Sequence, residues 1–341
     1  MKRKLVWVTF LLLLSIISLL IAGCGQKEGN NVNKGAVSEK YPTKPITLIV
    51  PFSAGGSSDM IARAMEKVSA KYLGQSLVVV NKPGGSATIG WNELASSKPD
   101  GYTIGITNIS IVLQPLYGGT KYNYPQDLEP IAQAASIPVV LAVRADSPWK
   151  NVKEFIEYAK SHPGEIKYGH AGIGTSTHVA AEMFAKEAGI KIQQVPFQGG
   201  SEALTAFLGG HVQALFANPP EIKSYFNDGK IRILGVADEK RYPDFKDVPT
   251  FKEQGLNVVL SIWLGVGGPK GLPEDVKTKL AEGFKNIIND PEFKKVVTDQ
   301  GMIVDYLSPQ EFGAKWKSES ERFAKLIKET GIGEQIASQK K

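Results

Sequence analysis

The chain has 341 residues, 42% of them hydrophobic and 22% charged, with a formal net charge of +6 and a single cysteine. One cysteine excludes an intramolecular disulfide and any Cys-based zinc site. The charges of both signs are interspersed and no basic stripe carries aromatic residues, which argues against nucleic acid as a partner.

At the N-terminus, Lys2, Arg3 and Lys4 precede an apolar run from Leu5 to Leu20, and Ile21-Ala22-Gly23-Cys24 follows. This is the layout of a secretory signal, so residues 1–23 are expected to be removed. The cysteine at the cleavage point resembles a bacterial lipoprotein signal, in which Cys24 is lipidated and becomes the mature N-terminus. A plain transmembrane anchor is the alternative, since the run is nearly long enough to span a bilayer, but it ends in small residues and not in a charge cluster. Removal of the signal leaves 37 basic and 34 acidic residues, a net charge of +3. Residues 24–40 are polar, rich in Gly and Asn and without apolar periodicity, and read as a flexible tether.

From Tyr41 onward, short apolar runs alternate with helical patterns. Strands are expected at Ile46 to Val50, Leu77 to Val80, Tyr102 to Thr107 and Ile131 to Gln133, with helices at Met60 to Leu73 and Thr88 to Ala95. A second unit of the same kind starts near Val143. It has helices at Val152 to Ser161, His178 to Ala188 and Ser201 to Leu208, and strands at Ile166 to Gly169, Ile192 to Val195, Val212 to Ala217 and Ile231 to Val236. Val258 to Val266 reads as a crossing strand, and Pro273 to Asn289, Pro291 to Gln300 and Pro309 to Thr330 as helices. The alternation predicts an α/β class with largely parallel sheets. The length exceeds a usual single domain, and the C-terminal helices lack strands of their own. We therefore expect two lobes, 41–142 plus 261–341 and 143–260, joined by two crossings that make a hinge and leave a cleft.

Ile49-Val50-Pro51-Phe52-Ser53-Ala54-Gly55-Gly56-Ser57-Ser58-Asp59 reads as a buried strand, a glycine turn and a helix start. Glycines let backbone N–H groups approach a ligand, and a helix start favours an anion. Val195-Pro196-Phe197-Gln198-Gly199-Gly200-Ser201 repeats the device one residue shorter, and a third glycine turn lies at Gly169 to His178. Asp59 is expected to cap its helix. Dinucleotide and P-loop fingerprints are incomplete, since the third glycine and the lysine are missing. His170, His178 and His211 are too scattered for a metal site, and no cofactor is expected. A hydrolase using Ser176 and His178 is an alternative without a Gly-x-Ser-x-Gly elbow or a partnered acid.

Tyr41-Pro42-Thr43-Lys44-Pro45-Ile46, Val50-Pro51-Phe52-Ser53-Ala54-Gly55-Gly56 with Asp59 and Ala62-Arg63, Asn81-Lys82-Pro83-Gly84-Gly85, Pro99-Asp100-Gly101-Tyr102-Thr103, Gly172-Ile173-Gly174-Thr175 and Val248-Pro249-Thr250 follow in an order and spacing that closely resembles the tripartite tricarboxylate transporter substrate-binding proteins, the Bug family. The resemblance covers the chain from Tyr41. It implies a two-lobed type II periplasmic binding-protein fold with a hinge and interlobe cleft. It also implies a non-enzymatic receptor; the N-terminal signal places it on the outer face of the cell membrane, held by lipid on Cys24, and a monomer is expected. Such a receptor captures a small carboxylate, typically a di- or tricarboxylate, and hands it to a membrane permease with one large and one small subunit. A ligand-presenting module for a sensor kinase would share that fold. Carried over by position, the resemblance places Phe52, Ser53, Gly55 and Gly56 in the site, with Asn108, Gly172, Gly174, Thr175, Ser176, His178, Gly199 and Asn218. Gly84-Gly85-Ser86-Ala87 departs from the family's usual Gly-Ala-Gly-Gly.

Overall fold

In the computed structural model, which describes residues 41–339, the strands in chain order are β1 (Ile46–Val50), β2 (Leu77–Asn81), β3 (Thr103–Asn108), β4 (Leu128–Pro138), β5 (Val140–Arg144), β6 (Lys167–His170), β7 (Gln193–Pro196), β8 (Ala214–Ala217), β9 (Ile231–Val236), β10 (Ser261–Pro269) and β11 (Ile303–Leu307). The first helices are α1 (Ser57–Leu73), α2 (Thr88–Ser96), α3 (Ser110–Leu113), α4 (Tyr124–Asp127), α5 (Val152–Ser161) and α6 (Ser176–Ala188). They are followed by α7 (Gly200–Leu208), α8 (Pro219–Asn227), α9 (Glu274–Asn289), α10 (Pro291–Asp299), α11 (Pro309–Thr330) and α12 (Ile332–Gln339). The signal segment, Cys24 and the tether lie outside the described residues.

The strands form two sheets, ordered β11-β4-β10-β3-β1-β2 and β7-β6-β8-β5-β9. Only β1–β2, β1–β3, β6–β7 and β6–β8 pair in parallel. The pairs β3–β10, β4–β10, β4–β11, β5–β8 and β5–β9 are antiparallel. The sheets are thus mixed where the sequence predicts largely parallel ones. A strand–helix–strand unit returns the chain in the same direction. The strands beside the crossings follow a different route: β4 passes into β5 through Val139 alone, with no helix between. β5 therefore belongs wholly to the second sheet. The return crossing runs from the end of β9 to Ser261, and the two crossings touch: Ala237 N–H donates to Val139 C=O (2.8 Å) and Leu260 N–H to Ala237 C=O (3.0 Å).

The elements nearest the cleft follow from local chemistry. β1 is buried on both faces, with Thr47 alone half-buried, as its nearly continuous apolar run requires. It delivers the chain to α1, whose buried stripe is Ile61, Ala62, Met65, Val68 and Leu73, and which Gly74 ends in a left-handed turn at φ 82°. Trp91 on α2 is fully buried, donates its indole N–H to Ile106 C=O (3.1 Å) and sits between Phe52 and Tyr124. It fixes the floor beneath the first glycine turn. Helix α11 opens with Ser308 and Glu311 bonded to each other's backbone (Ser308 N–H to Glu311 2.9 Å, Glu311 N–H to Ser308 Oγ 3.4 Å). It packs Phe312, Trp316, Phe323 and Ile327 onto the first sheet's side of the core. Helix α12 then reaches the second sheet's α6, where the Gln335 amide donates to Glu182.

The loop after β2 departs from ordinary backbone. Gly84, Gly85, Ser86 and Ala87 all have positive φ, at 121°, 57°, 55° and 77°. Ser86 and Ala87 thus hold a left-handed conformation that glycine adopts without cost. Relief of about 1–2 kcal/mol, less about 0.5–1 kcal/mol of added chain entropy, predicts that Ser86→Gly stabilises the protein by roughly 0.5–1 kcal/mol in urea denaturation. Ala87→Gly is expected to gain less, because Ala87 is buried and its methyl packing is lost. Equal or lower stability for Ser86→Gly would show that the serine is held there by contacts that repay its strain.

Candidate functional site

Three strand-to-helix turns meet between the two sheets, beyond the carboxyl ends of β1, β6 and β7, the position at which open α/β sheets take ligands. In the first, Asp59 sits at the third position of α1 and ties the turn. It accepts from Gly55 N–H (2.9 Å), Arg63 Nε (3.0 Å) and Asn81 Nδ2 (3.0 Å). Asn81 Nδ2 also reaches Phe52 C=O (3.1 Å). Burial pushes the Asp59 carboxyl up, but the bonds from Gly55, Arg63 and Asn81 outweigh it and hold the group below its ordinary range. Asp59 thus organises the helix start from inside the first turn and stays out of the cavity.

The second turn is held from below by two histidines. His178, fully buried on α6, accepts Gly174 N–H at Nδ1 (2.9 Å) and faces Glu182 with Nε2 (3.2 Å). His170 stacks on it at 4.3 Å between ring centroids and bonds Gly172 C=O (3.0 Å) and Gln194 (2.8 Å). Burial, with the neighbouring His178 ring second, drives the His170 pKa down to about 3. Tyr168 donates to Glu182 (2.8 Å). Both ring nitrogens of His178 are occupied in shaping the turn, so the hydrolase reading has no free base for Ser176.

The cavity between the turns has a volume of about 20 Å³, room for about one water. It is lined by Phe52, Gly56, Ser57, Ser58, Asn108, Ala171, Thr175, Ser176, Thr177, Gly200, Asn218, Glu221, Ile262 and Leu264. Of the residues expected in the site, Phe52, Gly56, Asn108, Thr175, Ser176 and Asn218 line it. The remaining six stand behind the wall. Ser53 donates to Glu202 (2.5 Å). Gly199 presses on it so closely that a Cβ would meet the Ser53 N at 3.0 Å. Gly55, Gly172 and Gly174 have φ of 81°, 124° and 74° and bend the backbone, and His178 supports the turn. Gly174 has no room for a side chain, since a Cβ would stand 2.7 Å from the Tyr117 ring.

Sequence reasoning missed Ser57, Ser58, Thr177 and Gly200, each one to three residues past a flagged glycine or hydroxyl. It also missed Ala171, Glu221, Ile262 and Leu264. The Asn218-x-x-Glu221 spacing before an apolar turn could have marked Glu221; the apolar pair on β10 carries no local signal. The lining includes no Lys, Arg or His and one acid, Glu221. Burial raises the Glu221 carboxyl above its ordinary range against the pull of bonds from Ser57 and Asn218.

Hydrogen bonds join the two sides around the cavity: Ser201 Oγ to Ala54 C=O (2.8 Å), Gln114 Nε2 to Ile173 C=O (2.9 Å) and Ser176 N–H to Ser110 Oγ (3.3 Å).

The sequence profile described as "Tripartite tricarboxylate transporter family receptor" matches residues 61–332. A protein of Cupriavidus necator, described as the UPF0065 protein in the gbd 5' region, is 34% identical over 86% of this chain and 89% of its own length. The structure of the periplasmic binding protein BugD is 31% identical, covers 86% of this chain and 99% of its own, and superposes with a TM-score of 0.82. That of Rpa4515 from R. palustris with adipate is 30% identical, covers 85% and 98%, and superposes at 0.80.

Proposed function

Because the chain belongs to the tripartite tricarboxylate transporter receptor family, whose members are solute-binding receptors and not enzymes, we propose that this protein captures a small carboxylate outside the cytoplasm. It then delivers the solute to a permease of one large and one small membrane subunit. The observation that carries the reading is the lining: hydroxyls of Ser58, Thr175, Ser176 and Thr177 at the starts of α1 and α6, without a cationic side chain. Helix-start N–H groups and hydroxyls hold a carboxylate by directed bonds and dipoles. Adipate in the R. palustris relative is a carboxylate of this kind. We place the two lobes around the two sheets, with the first exchange at Val139, a few residues before the expected start at 143 because β5 lies wholly in the second sheet, and the return just before Ser261, closing over the solute. Lipid on Cys24 tethers the receptor as a monomer.

A panel of mono-, di- and tricarboxylates, each near 100 times its Kd, tests this by thermal shift. A ligand that binds only the folded state adds about 2.7 kcal/mol at that concentration, a rise of about 5 °C for a chain of this size. No shift with any carboxylate sinks the reading.

A further inference from the structure

Glu221 lies in the first turn of α8 and takes part in that helix's capping box, yet its Oε1 is also spent on another helix. Oε1 accepts Ser57 N–H (3.1 Å) and Ser57 Oγ (2.9 Å) at the start of α1, on the other side of the cavity. Asn218 Nδ2 and N–H complete the set, each at 3.3 Å. Gly200, the first residue of α7, makes the space: a Cβ there would stand 2.3 Å from the carboxylate carbon and both oxygens. Three helix starts therefore converge on a carboxylate that belongs to the protein. It is buried and it lines the cavity. Beside it the Asn218 side chain faces the Glu221 N–H in that capping box, too loosely for a hydrogen bond of normal geometry, so its buried Oδ1 keeps acceptor capacity. Both donors of Ser57 at the start of α1 are already spent on Glu221, which leaves Ser58 as the hydroxyl of that helix start in the lining and adds the acceptor atoms of Glu221 to this pole. The opposite pole, Thr175 to Thr177 at the start of α6, contributes hydroxyls and no acid to the lining.

We propose that Glu221 is a specificity-determining residue: the site takes a solute with one carboxylate, seated at α6, whose other end is a hydrogen-bond donor facing Glu221 and Asn218. The inference rests on the carboxylate reading above and narrows it. A second carboxylate would meet a like charge at a buried wall, in a space with room for about one water to screen it, and such juxtapositions are strongly disfavoured. An ammonium, amide or hydroxyl would satisfy the acceptors instead.

Length-matched pairs decide the matter. For four, five and six carbons, the ω-amino acid and the dicarboxylate are titrated calorimetrically into wild type and into Glu221→Gln, which keeps the shape and removes the charge. Wild type is expected to bind the best ω-amino acid at least about tenfold more tightly than its dicarboxylate partner, equal to about 1.4 kcal/mol. In Glu221→Gln that ratio is expected to fall by about tenfold or to reverse. A wild type that prefers the dicarboxylate, or a folded Glu221→Gln with the wild-type ratio, overturns the role of Glu221 and leaves the carboxylate reading standing. Wild type that binds no carboxylate in either format overturns both. Should Glu221→Gln fail to fold, the wild-type pairs decide alone.

Discussion

His178→Leu is expected to cost about 2–4 kcal/mol of folding stability, the sum of a buried donor left without a partner, about 1–3 kcal/mol, and one lost bond to a carboxylate. The imidazole closes a chain of bonds. Nδ1 accepts the Gly174 N–H, so the ring proton sits at Nε2 and points to Glu182. Leucine fills the volume, leaves the Gly174 N–H unpaired and takes one donor from the buried Glu182 carboxylate, which keeps Tyr168 and Gln335. The bonds of Gly172 and Ile173 to Thr175, His170 and Gln114 remain, but Gly174, at φ 74° against the Tyr117 ring, loses its N–H partner. Because Thr175, Ser176 and Thr177 follow that turn directly, solute affinity is expected to fall with stability. Urea denaturation measures the first and calorimetry the second. The double variant His178→Leu with Glu182→Leu removes both members and is expected to recover part of the loss. A single-variant cost below about 1 kcal/mol, no more than one ordinary hydrogen bond, would mean that the turn holds itself.

The second large effect is acid sensitivity. Stability is expected to fall as the pH drops from about 6.5 toward about 3, by up to about 1.4 kcal/mol per pH unit. His170 is the source, with a pKa lowered from its ordinary 6.5 to about 3 by burial and by the His178 ring. The folded protein keeps it neutral while the unfolded chain takes up a proton, so in this window the unfolded state binds more protons and stability rises with pH. Above 6.5 the contribution is constant. Glu182 adds in the same direction below its ordinary 4.5: burial pushes it up, but its bonds with His178 and Tyr168 outweigh that and lower it. Glu221 acts oppositely just above 4.5, because its carboxyl is raised in the fold and holds its proton longer there. His170→Gln is expected to flatten the slope between pH 6.5 and 4.5 by most of one proton. An unchanged slope in denaturation curves over that range would remove His170 as the cause.

Much of the fold can be read from the chain because its elements announce themselves. Helix α5 runs from Val152 to Ser161 as its apolar spacing predicts, and Asn151 caps it by accepting the Glu154 N–H (2.9 Å). β9 and α11 likewise match their expected limits. Strand β11 gives no such signal, being a five-residue edge strand that is mostly half-buried. Helix α8 is masked by Pro219-Pro220, although proline suits a helix start. The antiparallel pairings of β10 depend on where the chain returns after more than a hundred residues, which no local pattern encodes. The site divides the same way. Its three turns are legible because glycine marks them. Which atoms face the cavity is not, because Gly55, Gly172 and Gly174 bend the path while Ser57, Ser58 and Thr177 arrive at the wall. Ile262 and Leu264 enter from β10, remote in sequence from every turn.

The two crossings between the sheets run side by side and are bonded through Val139, Ala237 and Leu260, all fully buried and none of them glycine. In the two-lobe reading proposed above, such a joint is a flexure and not a pivot pin. Paired extended backbone bends about one line by small torsional changes spread over several residues, while its cross-strand bonds resist shear and sliding. Its stiffness is a property of packing around the joint, so a substitution there retunes the work of bending without touching an atom of the cavity wall. Affinity in this architecture has two separately adjustable parts: the bonds made to the solute, and the spring constant against which they are made.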